Sequence, residues 1–249
     1  MNLKSVDLVQ NPKIMIRFLT TFLLLSISVP TFSQIRFSEA ELLVQSRHIW
    51  RGTKLGTAPA FEPSVTFSGG RFSFNFWASV TPNNSYSEID LVPAWQFNHF
   101  QLTVFDYYNP VVGENNNYLN FQEGKNRHSL ELSIDNYSVE KPRFKWMIGT
   151  FLSGDRNKET GKSLYSTYIE FKYSFTAWSI DAEPFVGMTP LRGFYADHPA
   201  LINSGISFSK AIGLSSRLSV PLTMSFLYNP YQNKSYVVLS SGISFRRLK

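Results

Sequence analysis

Charged side chains recur at every second position in several stretches of this sequence, a spacing that places them on one face of a β-strand. In Ser87–Leu91, for example, Glu88 and Asp90 alternate with a serine and two apolar residues. A sheet closed on itself would gather such faces around one interior, where charged side chains select the solutes that pass. The side chains that we predict to line this interior are Arg47, Glu62, Glu88, Asp90, Glu131, Asp135, Lys145, Glu170, Lys172, Asp181, Glu183 and Arg217.

Acids outnumber bases in this predicted lining, and Glu41 adds a further inward acid. An acidic lining favours cations or neutral polar solutes. The same residues would also suit a filled interior of ion pairs and hydrogen bonds with no continuous path. Both interpretations remain open at the level of sequence.

The sequence offers weaker candidates for catalytic or metal-binding residues than for a charged lining. His128 precedes Ser129, but neighbours on a strand point to opposite faces and do not form a nucleophile–base pair. Glu131 and Asp135, with Ser133 between them, lie too far apart along a strand to act as a carboxylate pair. The chain has no cysteine and no His-x-x-x-His spacing, so we predict no metal, no cofactor and no enzymatic activity. A lipid-directed enzyme stays as a minor alternative that would need a histidine, a serine and an acid to converge.

The element that must position these side chains is a hairpin, and it is clearest in residues 61–80. Two runs of alternating apolar and polar residues flank Gly69 and Gly70 there. Glycine accepts the positive φ angles of a two-residue turn, so the stretch predicts a tight β-hairpin.

The rest of the chain repeats this unit and predicts no long helix. Long polar connections alternate with short turns, which is typical of transmembrane barrels with short periplasmic turns. We predict an all-β, up-and-down antiparallel barrel of 12 strands, with 10 strands as the alternative and a soluble β-sandwich as the competing fold. The predicted strands are 40–50, 58–68, 71–80, 86–97, 99–107, 127–136, 143–152, 164–174, 177–187, 200–210, 215–226 and 235–246.

Aromatic residues support a membrane setting for this barrel. Twelve strands enclose more space than side chains can fill, which favours a polar inside and an apolar outside. Aromatics near the short turns, such as Phe72, Trp95 and Trp178, predict one interfacial girdle, and Tyr107, Tyr108 and Tyr165 predict the opposite one. The partners we expect are outer-membrane lipid, the barrel-assembly machinery and small polar solutes, and an oligomer remains open.

The first 33 residues predict a secretory signal peptide, with Met15 as a second candidate start. Lys13 and Arg17 precede an apolar run over 18–29, and small residues stand before a cleavage site at Gln34. Residues 34–249 then form the barrel. The formal charge of +6 is spread along the sequence without a basic block, so we predict no nucleic-acid partner.

One segment carries a family resemblance. The run Ser46–Gly52 with its aromatic-Arg-Gly end, the hairpin of residues 61–80 with its Trp-Ala-Ser, and Ser87–Leu91 together resemble the TorF-type family of outer-membrane porins. The likeness covers about residues 40–108. It implies an outer-membrane barrel and brings no catalytic residues. The resemblance and the charged lining make a channel for passive diffusion the first functional expectation.

A structural or ligand-binding barrel that acts through its outer loops is the second expectation. The loop from Tyr108 to Asn126 would support it because it is rich in asparagine and carries Tyr118, Leu119 and Phe121. At the other end of the chain, Phe245 fits the terminal aromatic of an outer-membrane barrel, although Arg246–Lys249 follow it.

Overall fold

The computed structural model describes residues 35–122, 126–137, 142–157 and 160–248. The predicted signal peptide and its cleavage site before Gln34 lie outside the described residues. Among the described residues no helix is long and apolar enough to cross a membrane.

Antiparallel strands make up the described chain. They are β1 (Arg36–Gln45), β2 (His48–Trp50), β3 (Thr53–Leu55), β4 (Ala60–Gly69), β5 (Phe72–Val80), β6 (Ser87–Gln96), β7 (Gln101–Tyr108), β8 (His128–Asp135), β9 (Phe144–Ser153), β10 (Thr167–Tyr173), β11 (Phe175–Ala177), β12 (Ile180–Thr189), β13 (Ala200–Gly213), β14 (Leu218–Asn229) and β15 (Lys234–Arg246).

The large sheet closes on itself. Successive strands of this sheet pair with one another, except that β10 and β11 both pair with β12, and β1 pairs with β15 through Glu39 and Arg246. β11 continues β10 in the same register beside β12. The result is a barrel of 12 antiparallel strands, which confirms the predicted fold and strand number. Strands β2 and β3 form a separate small hairpin.

The barrel wall is inverted relative to a soluble protein. Apolar side chains such as Leu42, Phe76 and Ile148 are exposed on the outside, whereas Glu62, Glu131 and other charged residues are buried inside. A soluble sandwich would bury the apolar row, so this alternative is wrong. The inverted wall is the arrangement of an outer-membrane barrel, whose backbone groups are all paired within the closed sheet.

Two connections differ from their prediction, one in its position and one in its length. The turn expected at Phe175-Thr176 falls at Trp178-Ser179, where both residues have positive φ (50° and 61°), because β11 extends the pairing by three residues. Trp178 is therefore in the turn and 95% exposed, rather than on a strand. The connection between β14 and β15, expected to be long, is the tight turn 230–233.

The first strand and the connection after it differ most from prediction. β1 ends at Gln45 instead of residue 50. Alternation predicts that residues 46–50 continue the first strand and that an outer loop follows. In the structure both segments fold back as the β2–β3 hairpin. Its tip at Gly52 accepts a hydrogen bond from Asn229 of β14, 177 residues away. The hairpin thus lies inside the barrel wall and plugs it.

Candidate functional site

We call the β2–β3 hairpin, His48 to Leu55, the plug. The turn at its tip requires backbone angles that few residues adopt. Arg51 and Gly52 both have positive φ (47° and 76°), as a two-residue hairpin turn requires. A Cβ on Gly52 would lie 2.0 Å from the backbone oxygen of Ile202 in β13. Glycine is therefore needed at this position both for the turn and for close approach to the wall.

Arg51 anchors the plug to the opposite wall. Its guanidinium binds Glu131 of β8 through two parallel hydrogen bonds of 2.6 Å, and it also donates to the hydroxyl of Tyr195. The rings of Trp50 and Tyr168 lie 4.7 and 4.6 Å from the guanidinium carbon. Glu131 has no exposed surface, so this ion pair is sealed inside the protein.

The wall makes room for the ion pair at one glycine. A Cβ on Gly149 of β9 would lie 2.3 Å from the Glu131 Oε1 and 3.2 Å from the Arg51 Nη2. Any side chain there would displace the carboxylate. The ion pair therefore depends on a third element besides the plug and β8.

An aromatic cluster surrounds the tip of the plug. Trp50 contacts Tyr107, Phe151, Phe194 and Tyr195, with ring centroids 5.7 to 6.2 Å apart. We call these five residues the collar. Tyr107 is 7% exposed and faces the lumen, so its predicted place in the outer aromatic girdle is wrong. Tyr195 comes from the connection between β12 and β13, so a second loop also folds inward.

Two cavities lie on either side of the collar. The outer one, about 390 Å³, is bounded by residues of the long connections, including Asn84, Asn109 and Asp155. The inner one, about 620 Å³, extends from the plug toward the short-turn end and includes Tyr137. Trp50, Glu88 and Tyr107 border both cavities, so the two spaces meet at these side chains.

Glu62 and Glu88 stand on the same side of the lumen with different partners. Glu62 accepts hydrogen bonds from His48, at 2.7 Å, and from Gln45. Glu88 accepts from Asn109, at 2.6 Å, and from Tyr86. Burial, followed by the negative charge of Glu88, raises the pKa of Tyr86 and keeps this phenol protonated as a donor.

The lower lumen holds a chain of ion pairs. Lys145 binds Glu183 at 2.5 Å, and Lys172 lies 3.1 Å from Glu170 and 3.6 Å from Glu183. Tyr137 and Tyr168 donate to Glu170 at 2.8 and 2.7 Å. Four of the predicted lining residues are thus brought together, with their charges balanced.

Three further predicted lining residues, Asp135, Asp181 and Arg47, lie at the periphery of the lumen, whereas Asp90 borders the inner cavity. Asp135 is buried near the short-turn end of β8 and accepts a hydrogen bond from the Tyr137 amide. Asp181 is exposed on β12 and accepts from Thr176. Arg47 lies in the bend between β1 and β2 and donates to the Ser46 carbonyl.

Arg217 is not a lining residue, which corrects its prediction. It is exposed in the turn that precedes β14, where its carbonyl accepts a hydrogen bond from the Arg246 amide. The predicted strand began three residues too early, because the polar stretch before Leu218 continues the alternation. Ser215 instead closes the turn by accepting from the Leu218 amide.

His128 does not form a catalytic pair with Ser129. Its two ring nitrogens bind Asp106 and the carbonyl of Tyr118, each at 2.7 Å. His128 and Asp106 lie under the β7–β8 connection, where Phe121 stacks on the imidazole at 4.3 Å. Burial, followed by the charge of Asp106, raises the pKa of Tyr118 to about 12. Ser129 borders the outer cavity instead.

Within the described ranges no group of three or more histidine, aspartate or glutamate side chains is placed to hold a metal ion. Sequence reasoning missed the plug and the residues that hold it, above all Arg51, Trp50 and Tyr195. A signal existed only for the turn, because Arg51-Gly52 is followed by a threonine and a lysine that can begin a second strand. Nothing in the sequence indicates that the turn enters the barrel.

No protein-family model matches the sequence, and no curated protein matches it. Solved structures of outer-membrane barrels do align with it. Outer membrane phospholipase A from Escherichia coli gives a TM-score of 0.40 at 10% identity, covering 87% of this chain and 100% of that one. An outer membrane channel from Pseudomonas putida F1 gives 0.40 at 9% identity, covering 88% and 96%.

A bacterial polysaccharide outer membrane secretin also aligns, with a TM-score of 0.40 at 9% identity over 85% of this chain and 98% of that one. At these identities and TM-scores the likenesses carry no argument about function. The barrel fold is established by the strand pairing itself.

Proposed function

We propose that the barrel is an outer-membrane channel through which small polar or cationic solutes diffuse passively. The observation that carries the proposal is the pair of cavities that meet at Trp50, Glu88 and Tyr107. A barrel whose interior were fully packed would have no such spaces on both sides of a thin aromatic layer. Solutes would cross that layer when the collar side chains move aside.

The acid pair Glu88 and Asp90 is the proposed selectivity element. Both side chains border the inner cavity, and Glu88 also borders the outer one. Negative side chains at a constriction raise the local concentration of cations and repel anions. The channel should therefore prefer cations.

Conductance across a planar bilayer tests the proposal. Protein purified from the outer membranes of expressing cells should show discrete current steps, with a reversal potential in a salt gradient that indicates cation preference. The variant Glu88→Gln/Asp90→Asn should lose most of that preference. The matched control Asp135→Asn, which neutralises a buried acid outside the two cavities, should keep it. A heat-modifiable, folded barrel that passes no current would overturn the proposal.

Membership of the TorF-type family of outer-membrane porins is part of the same proposal. It is supported by the residues between 40 and 108 that resemble that family. Assembly by the barrel-assembly machinery, possession of a signal peptide, lack of enzymatic activity and any oligomeric state likewise remain predictions for this chain.

A second candidate function is a barrel that binds a partner through its outer loops. The observation that favours it is the β7–β8 connection, where Leu119 is 79% and Phe121 56% exposed. Exposed apolar side chains on a loop often mark an interaction site. Replacing both residues with serine should abolish partner or surface binding and leave conductance unchanged if this second function holds.

A further inference from the structure

An acid lies between two aromatic rings on the lumen wall. In the register of the sheet, Asp90 of β6 pairs with Trp77 of β5 on one side and with Tyr107 of β7 on the other. Paired residues share a face, with Cβ atoms roughly 4.5–5.5 Å apart. All three side chains border the inner cavity. The wall therefore presents a carboxylate flanked by an indole and a phenol.

Three residues that border this cavity each carry a buried side-chain polar atom with no hydrogen-bond partner among the described residues. These atoms are Oδ1 of Asp90, Nε2 of His48 and Oδ1 of Asn203. The two oxygens are acceptors, and Nε2 of His48 is an acceptor in the neutral tautomer that carries its proton on Nδ1. His48 uses its Nδ1–H on Glu62, and the Asn203 amide nitrogen donates to Tyr168 and Glu170. Buried acceptors without donors are costly, so the cavity favours an occupant rich in N–H groups.

The charges around the cavity point to a cationic occupant. Arg51 is paired with Glu131, while Lys145 and Lys172 are paired with Glu183 and Glu170. In the part of the chain that the structure describes, no lysine or arginine pairs with Glu88 or Asp90. The two acids on this side of the lumen therefore have no cationic partner among the described residues.

The cavity lining also has an apolar part. It is formed by Val92, Phe105, Met147 and Phe185. An occupant that satisfied both parts would carry a charged group at one end and a hydrocarbon or aromatic body at the other. Hydrated metal cations would leave the apolar part unused, and hard cations require several oxygen ligands where this wall offers indole and phenol rings.

We propose that the inner cavity is a binding site for a small organic cation, namely a protonated primary amine on an apolar body. The ammonium group would lie between Trp77 and Tyr107, where it donates to the Asp90 carboxylate and its charge lies next to an indole and a phenol ring. The body would pack on the apolar part. This inference rests on the proposed channel function, for which it names the class of solute.

Calorimetric titration of the purified protein in detergent tests the site. The probes are 2-phenylethylammonium, the neutral isostere 2-phenylethanol and the anion 3-phenylpropionate. The amine should bind saturably, and both other probes should bind at least about tenfold more weakly, because a charge-assisted hydrogen bond is lost. The variant Asp90→Asn should weaken amine binding by about tenfold or more.

Two controls separate this site from general charge effects. Asp135→Asn removes a lumen acid outside the cavity and should leave amine affinity unchanged. Trp77→Leu should weaken binding of the amine more than that of the alcohol, since it removes a cation–π contact. Heat-modifiable migration of every variant confirms folding.

Equal affinity for the amine and the alcohol, undiminished amine binding by Asp90→Asn, or displacement of the amine by equimolar potassium would each overturn the inference. Conductance of the same samples distinguishes it from the proposed function. Cation-selective current without amine binding would refute the amine site and leave the channel intact. Amine binding without any current would refute the channel and leave a ligand-binding barrel.

Discussion

At the scale of single residues, Arg51 determines where the plug lies inside the barrel. Burial works against its charge, but the neighbouring Tyr195 hydroxyl and the Glu131 carboxylate outweigh burial and hold the pKa of Arg51 well above its ordinary value. The guanidinium is therefore charged at every relevant pH. A buried ion pair contributes little net stability compared with apolar residues, yet breaking it is expensive. Its role here is to fix one position of the plug.

This role predicts a strong coupling between the two partners. Arg51→Met or Glu131→Gln alone should lower the free energy of unfolding by about 3–5 kcal/mol or undock the plug, because each leaves a polar group buried without its partner. The double variant should be more stable than the sum of the single changes predicts. Chemical unfolding of the barrel in lipid vesicles, followed by tryptophan fluorescence, measures all three.

The control pair for this cycle is Arg246→Met and Glu39→Gln, which removes an ion pair with an Arg246 side chain that is 74% exposed. Exposed pairs contribute roughly 0–1 kcal/mol, so these variants should remain close to the wild type. Equal effects at the buried and exposed pairs would contradict the assigned role of Arg51.

At the scale of elements, the β2–β3 hairpin is the feature that distinguishes this barrel from an open tube. Ser46 still pairs with β15, since its amide donates to the Leu239 carbonyl at 2.8 Å. The chain then leaves the wall and turns at Arg51 and Gly52 inside the lumen. The contacts of the hairpin tip with β8 and β14 hold it there.

Docking of the hairpin should fail in Gly52→Ala. The added methyl would lie 2.0 Å from the Ile202 carbonyl oxygen and the residue would keep a positive φ, so the tip must move away from β13. Undocking exposes Arg51, and trypsin should then cleave after it. The fragment masses after digestion of the folded barrel in detergent provide the measurement.

Gly113→Ala is the matched control. Gly113 has a similar φ of +81°, but a Cβ there meets nothing within 4 Å. Its cost should be limited to backbone strain, about 1–2 kcal/mol, with no new cleavage after Arg51. Should both variants protect Arg51 equally, close packing of Gly52 would not be what seats the plug.

The same hairpin marks where sequence reasoning stops. Alternation and turn residues were enough to predict all 12 wall strands, and alternation placed Glu88 and Asp90 on the inner face. The same signals predict that β1 continues through residue 50, because Ser46–Trp50 alternates like the strand before it. The inward course of the hairpin depends instead on Glu131 and Asn229, which are 80 and 177 residues from their partners in the plug. Such pairings leave no local signal.

The aromatic neighbours of Asp90 could not be predicted from the sequence for a related reason. Trp77 and Tyr107 are next to it only through the register of three strands. A shift by one residue would turn Tyr107 to the outer face, where an aromatic girdle would need it. Alternation thus placed Glu88 and Asp90 on one face but misplaced Arg217, and the contacts that make a site require the register.

At the scale of the whole molecule, the outer face of the barrel wall suits lipid and its inner face suits water. The outer face of β14 presents Leu222, Met224 and Phe226, and the neighbouring β15 presents Val237 and Leu239. In water this surface would be a large apolar patch, whereas in a bilayer it contacts lipid tails. The buried charges inside are tolerated because they have ion-pair partners, hydrogen bonds or a polar cavity.

A lysine on the outer wall should therefore cost stability according to its depth. Met224, near the middle of β14, pairs with Phe208 and Leu239, whereas Ile212 lies near the short-turn end of β13. Met224→Lys should destabilise the barrel in vesicles by about 2–4 kcal/mol, and Ile212→Lys by about 0–1 kcal/mol, because charge is costly only in the hydrocarbon layer.

Reversible unfolding in lipid vesicles measures both costs, and it tests the orientation of the whole wall. On a water-exposed surface both lysines would be nearly neutral, since surface substitutions usually change stability by less than about 0.5 kcal/mol. A depth-independent result near zero would therefore contradict the membrane setting. A large cost confined to Met224 would require the apolar face to contact lipid, which in turn leaves the charged lumen as the only polar route through the molecule.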